Sequence, residues 1–473
     1  MNQPSNLTNR KRTFIFINLI LTCIALTMLS TALTTALPAI VADLQISVTT
    51  GQWLTSGYSL AMAIVMPLTA FLMNRVPTKK LYLSALVIAL IGMVLCALAP
   101  NFPIMMMSRI LQAIGNGILI SMAQVILLTI YPMDRIGAIM GWYGLSITAA
   151  PVIAPTLAGM IVDKLNWHAI FYIVGAIVFV SLIWALNVFE DVLDVTKKKF
   201  DLLSFLLSAV TFGGFTLGFG NLGTYGFASL PVLGALLVGL IGGILFAHRQ
   251  MKAAVPFLDL RVLKTKEYAL SVFGSILLYL VLMGSSMLMP LYVQSILGKS
   301  ATISGLVVFP GSLVSAFLSP IAGRIYDKVG IRIITIIGGS SLVLSNIGMF
   351  FIHIHTGIWM AVCLNILRCA ATGFLLMPFV TWGNKNIPSE LTAHGTALLT
   401  SLRTVAGAIG TAVFVGIMNT VARNSHTLTG SAALLHGMNV SFLVMTVASG
   451  LLLFTGLFLI KDSRTEVLIE VEN

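Results

Sequence analysis

One permanently charged side chain lies inside an apolar stretch that is long enough to span a membrane. The stretch IMMMSRILQAIGNGILISM, residues 104–122, carries Arg109, and a charge within a membrane span is costly. Gln112 and Asn116 follow at i+3 and i+7, so the three side chains share one helix face. Such a face suits the lining of a water-filled cavity. The alternative is that Arg109 snorkels to the nearby helix end, about 9 Å away by helical rise.

Two further arginines lie in apolar stretches. Arg368 follows Asn365 by three residues, so the pair repeats the one-face arrangement and is a second candidate for a cavity. Arg403 lies one to two turns into its stretch, TSLRTVAGAIGTAV. Its position fits three roles: binding substrate, closing a gate, or snorkelling to lipid headgroups.

A stripe of hydroxyl side chains in the first apolar stretch is a candidate cavity lining, formed by Thr27, Ser30, Thr31 and Thr34. Small hydroxyl residues also serve ordinary helix–helix packing, so both interpretations stay open. Carboxylates are the usual intramembrane proton carriers, because burial raises their pKa. None of the 15 acidic residues falls in the middle of an apolar stretch. The residues alone therefore identify no proton carrier.

The composition predicts an all-α polytopic membrane protein. Of 473 residues, 58% are hydrophobic and 9% charged, against about 25% charged in soluble chains. The net charge of +12 comes from short basic clusters between apolar stretches, which argues against nucleic acid as a partner. The four cysteines lack metal-ligand spacing, and no nucleotide fingerprint or nucleophile motif is visible. We therefore expect neither an enzyme nor a cofactor, and no metal site.

Fourteen apolar stretches are long enough to cross a bilayer. They lie near 13–38, 51–73, 80–99, 103–128, 136–160, 168–188, 203–221, 230–248, 268–295, 302–322, 333–352, 357–381, 396–421 and 439–460. With both termini cytoplasmic, 21 of the 27 Lys and Arg fall in cytoplasmic segments and three in external ones. The positive-inside rule therefore favours a multi-pass protein of the cell membrane with cytoplasmic termini.

Landmarks recur at nearly one offset, which indicates an internal repeat. PLTAFLMNRV begins at Pro67 and PIAGRIYDKV at Pro320, an offset of 253, while Arg109 and Arg368 are 259 apart. The offset covers eight spans, an even number, so both copies have the same orientation in the membrane. We predict a six-helix bundle at 13–188, two inserted helices at 203–248 and a second six-helix bundle at 268–460. Parallel repeats of this kind occur in secondary transporters.

Two segments of similar pattern follow the second and tenth spans. The first, AFLMNRVPTKK, contains Asn74 and Arg75, and the second, GRIYDKVGIR, contains Gly323, Arg324 and Asp327. Both resemble the loop motif G-x-L-A-D-R-x-G-R-K, the first in degenerate form because Asn74 replaces the acidic residue.

Two more motifs fit the same comparison. Arg109 and Gln112 match an R-x-x-Q pattern in the fourth span, and APVIAPTLAG places Pro151, Pro155 and Gly159 in the fifth. These prolines and the glycine predict a bend and close packing on a neighbouring helix. With these motifs in order, the chain resembles the major facilitator superfamily, and specifically its fourteen-span drug:proton antiporter-2 family, which includes lincomycin-resistance-type exporters.

The resemblance implies a secondary active exporter of amphiphilic drugs or antibiotics that works by alternating access, as a drug:proton antiporter. It implies that Arg109 helps couple proton movement to transport and that the fifth-span motif is a hinge. We expect the two loop motifs to form a cytoplasmic gate, in which Asp327 and Arg324 belong to a charge-paired latch that Asn74 weakens in the first half. The expected partners are protons, membrane lipids and small amphiphiles, neutral or anionic ones favoured, and the protein is expected to be a bacterial monomer. A lipid or glycolipid flippase is the alternative.

Overall fold

Each apolar stretch is a long helix, because a backbone in lipid must satisfy its own hydrogen bonds. The computed structural model describes residues 7–46, 48–132, 134–193, 195, 201–221, 229–253, 256–299, 301–425 and 428–460. The α-helices of this described part are α1 (Asn9–Asp43), α2 (Val48–Arg75), α3 (Thr78–Ala97), α4 (Phe102–Ile130), α5 (Ile136–Lys164), α6 (His168–Val188), α7 (Leu202–Asn221), α8 (Leu230–Lys252), α9 (Lys266–Leu291), α10 (Ala301–Val329), α11 (Ile331–Phe350), α12 (Ile358–Lys385), α13 (Thr392–Arg423) and α14 (Gly430–Phe454).

The helices are long enough for a membrane protein. Thirteen contain a described apolar stretch that could cross a bilayer by length and composition, and α5, with 29 residues, is the fourteenth helix of spanning length. The predicted all-α polytopic fold with fourteen helices is therefore confirmed. Prolines lie inside several of these helices, at Pro67, Pro290, Pro310, Pro320 and Pro378.

The helices pack as two sets joined along a few contacts. Among the first six, α2 and α3 pack on α4, and α1 packs on α5 and α6. Among the last six, α10 packs on α12, α11 on α12 and α14, and α13 on α9 and α14. The two sets meet where α5 packs along α10 and α12, and where α2 packs on α13. The pair α7 and α8 lies beside α2 and α13.

One end of the bundle collects the basic clusters, and we call it the basic face. It is the end at which α1 begins, α2 ends and α5 begins, and it carries Arg10, Lys11, Arg75, Lys80 and Arg135. The segment after α8 crosses this face before α9, through a short 3₁₀ helix, Leu260–Lys264. The other end of the bundle is called the opposite face.

Close packing and an ion pair hold the inserted helices together. A Cβ on Gly214 of α7 would lie 2.6 Å from the Cα of Gly239 on α8, so the two backbones touch. At the basic face, Arg249 Nη2 lies 3.0 Å from Asp201 Oδ2. Burial acts to raise the pKa of Asp201, but hydrogen bonds from Arg249 and Ser204 outweigh it and lower the pKa to about 2.

Candidate functional site

Arg109 lies between α4 and α2, within the first six helices. Its side chain is 1% exposed. Its Nε donates to the carbonyl oxygen of Leu54 at 3.2 Å and its Nη1 donates to Gln112 Oε1 at 2.6 Å. Its guanidinium carbon lies 4.0 Å from the centre of the Tyr58 ring. The charge is thus held by a carbonyl, an amide and an aromatic face rather than at a lipid headgroup level.

Asn116 belongs to the same network. Its Nδ2 donates to the Tyr58 hydroxyl, so one tyrosine of α2 contacts both ends of the polar face that the sequence predicts on α4. Neither Gln112 Nε2 nor Asn116 Oδ1 has a hydrogen-bond partner among the described residues. In this conformation the face is buried against α2, and it contains one amide donor, Gln112 Nε2, and one amide acceptor, Asn116 Oδ1, that are unpaired among the described residues.

The last six helices contain a parallel arrangement between α12 and α10. Arg368 is 3% exposed and its Nη2 donates to Asn365 Oδ1. Asn365 Nδ2 lies 3.4 Å from the carbonyl oxygen of Val307 and 3.3 Å from that of Val308, both on α10. The pair of helices thus matches α4 and α2 in its order along the chain and in its buried arginine.

The hydroxyl stripe of α1 bonds to its own helix. Thr27 Oγ1 donates to the carbonyl oxygens of Cys23 and Ile24, Ser30 Oγ to that of Thr27, and Thr31 Oγ1 to that of Thr27 at 3.1 Å. These three residues are partly exposed. The side chain of Thr34 lies outside the described residues. The described hydroxyls leave an apolar methyl or methylene surface, with their donors already used.

The close helix packing expected at the fifth-span motif lies elsewhere on α5, which corrects the prediction for Gly159. A Cβ at Gly159 would meet open space. The close contact with the last six helices is made nearer the start of α5, where Gly137, Gly141 and Gly144 lie against α10 and α12. The reason is the position of the crossing: α10 approaches α5 at the basic face, while the later part of α5 lies against α1. Pro151 is half-buried and the side chain of Pro155 is not described.

The gate motif on α10 meets the first turn of α5. Asp327 Oδ1 accepts a hydrogen bond from the backbone N–H of Gly137 at 3.0 Å, and Oδ2 accepts one from Ala138 at 2.9 Å. Gly323 lies on Gly137 so closely that a Cβ would overlap its carbonyl oxygen. The charge-paired latch of Asp327 and Arg324 stays a prediction: Arg324 is exposed, and Asp327 accepts its two hydrogen bonds from the start of α5. The unsatisfied N–H groups and dipole of α5 supply the counter-charge.

The gate motif on α2 makes the related contact with α13. Asn74 lies in the last turn of α2, as Asp327 does in α10, and its Nδ2 lies 3.1 Å from His394 Nε2 in the first turn of α13. His394 Nδ1 accepts the backbone N–H of Asp259, from the segment after α8, at 3.3 Å. His394 thus joins both sets of helices and the crossing segment. Arg75 is exposed and lies 5.8 Å from the centre of the Phe71 ring.

Sequence reasoning missed His394 as a gate residue. It is 3% exposed, although it lies near the helix end where a histidine is normally solvated. A single histidine at the start of an apolar stretch does not reveal its contacts, because Asn74 lies on a distant helix and Asp259 lies in the segment after α8. The one available signal was the internal repeat. His394 lies at the start of α13, the fifth helix of the last six, and so aligns with the start of α5, the fifth helix of the first six.

Arg403 lies where the two sets of helices meet. It is 5% exposed, and its guanidinium carbon is 4.6 Å from the centre of the Tyr279 ring of α9. Its Nη1 has no hydrogen-bond partner among the described residues. Within the described helices, the acidic residues occupy only first or last turns, at Asp43, Asp163, Glu267 and Asp327. The guanidinium therefore has no carboxylate at its depth in the described part of the bundle.

Comparison with known proteins fits this architecture. The family model of the Major Facilitator Superfamily matches residues 15–411. The uncharacterized MFS-type transporter YcnB of Bacillus subtilis is 38% identical over 417 residues, 88% of each chain. The lincomycin resistance protein LmrB of Bacillus subtilis is 36% identical over 392 residues, 82% of this chain and 81% of its own. The solved proton:xylose symporter XylE gives a TM-score of 0.65 at 13% identity over 94% of this chain and 97% of its own, which shows the fold alone.

The family model over residues 15–411 and relatives at 38% and 36% identity show that the chain belongs to the major facilitator superfamily, among relatives that include a lincomycin resistance protein.

Proposed function

We propose that this protein exports small amphiphilic, drug-like molecules across the bacterial cytoplasmic membrane in exchange for protons, by alternating access. The relative named for lincomycin resistance supports a drug-like substrate. The relatives give no support to the lipid-flippase alternative. In this proposal the six-helix bundles at 13–188 and 268–460 move relative to each other, with the basic face in the cytoplasm, and the two inserted helices at 203–248 stay beside them.

The observation that carries the proposal is the closure at the basic face. Hydrogen bonds join Asp327 to the start of α5, Ser319 to Gly141 at 3.0 Å, and Asn74 to His394. All of them lie in the half of the bundle nearer the basic face. We interpret this closure as an outward-facing state, in which the cytoplasmic gate is shut. Export then requires these contacts to break together, so that the gate opens to the cytoplasm.

The role that we assign to the Arg109 network in coupling is to link helices, because its amide and guanidinium groups do not themselves take up a proton. The network holds a buried charge in the first six helices. The network links α2 to α4, and α2 carries Asn74 at its other end. A change in the packing of α2 therefore reaches the gate through one rigid helix.

Substrate charge follows from the same residues. The described helix interiors contain Arg109, Arg368 and Arg403 but no carboxylate, so a permanent dication would meet only like charge there. Leaving a buried charge unpaired costs several kcal/mol, on the order of 3–5 when one partner is missing. We therefore expect neutral or anionic amphiphiles to be better substrates than dications.

Everted membrane vesicles test the proposal. Vesicles with the protein, made acidic inside, should accumulate a lincosamide beyond the level that passive trapping of this weak base gives in vesicles without the protein, and a protonophore should abolish the difference. A dicationic biguanide of similar hydrophobicity should accumulate weakly. Vesicles that lack the protein are the control. Uptake that persists without a gradient, or that follows only the dication, would contradict the proposal.

The orientation is tested separately in intact cells. A cysteine introduced next to Lys264 should be shielded from an impermeant thiol reagent, while one next to Lys299 should be labelled. Native Cys363 is exposed, so both variants are made in a Cys363→Ser background. The opposite labelling pattern would reverse the assignment of the basic face to the cytoplasm.

A further inference from the structure

The three buried arginines differ in how their charge is satisfied. Arg109 donates to a backbone carbonyl and to an amide. Arg368 donates through Nη2 to an amide, and its Nη1 is buried without a hydrogen-bond partner among the described residues. Arg403 has the ring of Tyr279 on one face, while its Nη1 is buried without a hydrogen-bond partner among the described residues. A ring contact satisfies the flat face of a guanidinium and leaves the edge, with its fork of N–H donors, free for a planar acceptor.

The surroundings of Arg403 come from both sets of helices. Tyr279 is on α9 of the last six, and Tyr143 is on α5 of the first six, close enough to Arg403 and to Cys23 of α1 to interact with both electrostatically. Tyr143 is fully buried, and its hydroxyl makes a long bond of 3.4 Å to the carbonyl oxygen of Ile120. By helical rise, Tyr143 lies about 10 Å and Arg403 about 16 Å from the helix ends at the basic face.

A second polar group at the same place lacks partners. Gln124 of α4 is fully buried and lies close to the Tyr143 side chain, but neither its Oε1 nor its Nε2 makes a hydrogen bond of normal geometry within the described part of the chain. Burying an unpaired amide and an unpaired guanidinium N–H together is unfavourable, and each calls for a partner of its own chemistry. The Gln124 amide needs a hydrogen-bonding group, and the Arg403 N–H needs an acceptor, of which a negatively charged one binds most strongly.

We propose that Arg403, Gln124, Tyr143 and Tyr279, which we call the Arg403 site, bind the carboxylate of an amphiphilic substrate. Arg403 donates to the carboxylate oxygens from its free edge, Gln124 Nε2 and the Tyr143 hydroxyl donate from the other set of helices, and the Tyr279 ring holds the guanidinium in plane. Because donors come from both sets, a bound carboxylate links them at a point just inside the cytoplasmic gate.

The inference rests on the proposed export function. It narrows the substrate to amphiphiles that carry a carboxylate, and none of the relatives reported above is named for such a substrate. A neutral amphiphile leaves the Arg403 fork unpaired, whereas a carboxylate pairs it. The preference for the anion over its neutral isostere is therefore a property of the Arg403 site. It is measurable at equilibrium, without a gradient and without transport.

Equilibrium binding to the purified full-length protein in lipid nanodiscs tests this. The probes are 1-pyrenebutyrate and its neutral isostere 1-pyrenebutanol, followed by fluorescence anisotropy. Arg403→Gln should weaken pyrenebutyrate binding about tenfold or more, which corresponds to losing one hydrogen bond to a charged group, and should leave pyrenebutanol within about twofold. Arg403→Lys should fall between, because it keeps the charge and loses the fork.

The matched control is Arg332→Gln, which removes one positive charge near the basic face, outside the Arg403 site. It should leave both probes unchanged. Retained pyrenebutanol binding shows that each variant is folded. Unchanged pyrenebutyrate binding by Arg403→Gln, or equal loss of both probes, overturns the inference. Selective loss of pyrenebutyrate binding in a protein that exports nothing would reject the export function alone, and lincosamide export without the selective loss would reject the Arg403 site alone.

Discussion

Neutralising Asp327 should open the basic face. Its two carboxylate oxygens accept backbone N–H groups at 3.0 and 2.9 Å, at the positive end of the α5 dipole. Asp327→Asn keeps one acceptor oxygen, loses the charge, and turns an NH₂ group toward a backbone N–H. Two hydrogen bonds to a charged group, about 1.5–3 kcal/mol each, give way to one neutral bond of about 1 kcal/mol. Relief from burying the charge offsets part of this difference, so the closed state should lose about 2 kcal/mol. That is about a 30-fold change in the ratio of closed to open gates.

Spin-label distances measure this ratio. Labels replacing the exposed Lys80 of the first six helices and the exposed Glu390 of the last six report the width of the basic face in nanodiscs. Asp327→Asn should move population to a longer distance. Glu267→Gln is the control, because Glu267 is an exposed carboxylate at the basic face, in the first turn of α9, and does not contact the described start of α5. An unchanged distance distribution in Asp327→Asn would refute the argument that the α5 terminus holds the gate through this carboxylate.

Substitutions at three other positions test the remaining contacts. Gly323→Ala should also widen the basic face in the spin-label assay, because its methyl group would overlap the carbonyl oxygen of Gly137; an unchanged distance would show that the helices can shift to absorb it. The variants Arg109→Lys and Arg109→Gln should insert normally but lose more than tenfold in lincosamide uptake, because neither side chain can reach both the Leu54 carbonyl and the Tyr58 ring. Near-normal uptake would show that Arg109 serves packing alone. His394→Ala should widen the gate and His394→Gln less so, because an amide can still accept the Asp259 N–H, and equal effects would argue against that bond.

The fold was predictable because hydrophobic length is a local property. Fourteen apolar stretches predict fourteen helices, since lipid permits no unpaired backbone. Helix ends were less predictable. The helix α1 begins at Asn9, with the Thr8 side chain accepting from the Lys11 N–H, and it includes the basic cluster that hydropathy assigned to a loop. Polar residues beyond the membrane can continue a helix, and hydropathy does not detect them.

The candidate site was predictable as a set of helix faces but not as a set of contacts. The i, i+3 and i+7 spacing identified the polar face of α4, while its partner Tyr58, on another helix, follows from tertiary packing. The same limit explains Gly159: a small residue permits close packing, but the crossing point of α10 decides which small residue is used. For Arg403, the sequence left three roles open, because they depend on the groups that other helices bring to its guanidinium, such as the Tyr279 ring of α9.

Proton exchange during transport tests the central claim most directly. Purified protein in proteoliposomes that contain a pH-sensitive dye should move protons out of the lumen when a lincosamide is carried in, and the two fluxes should keep a fixed ratio as substrate concentration rises. Asp327→Asn should change the rate of both fluxes together. Substrate entry with no proton movement, or proton movement independent of substrate, would contradict the account of this protein as a drug:proton antiporter.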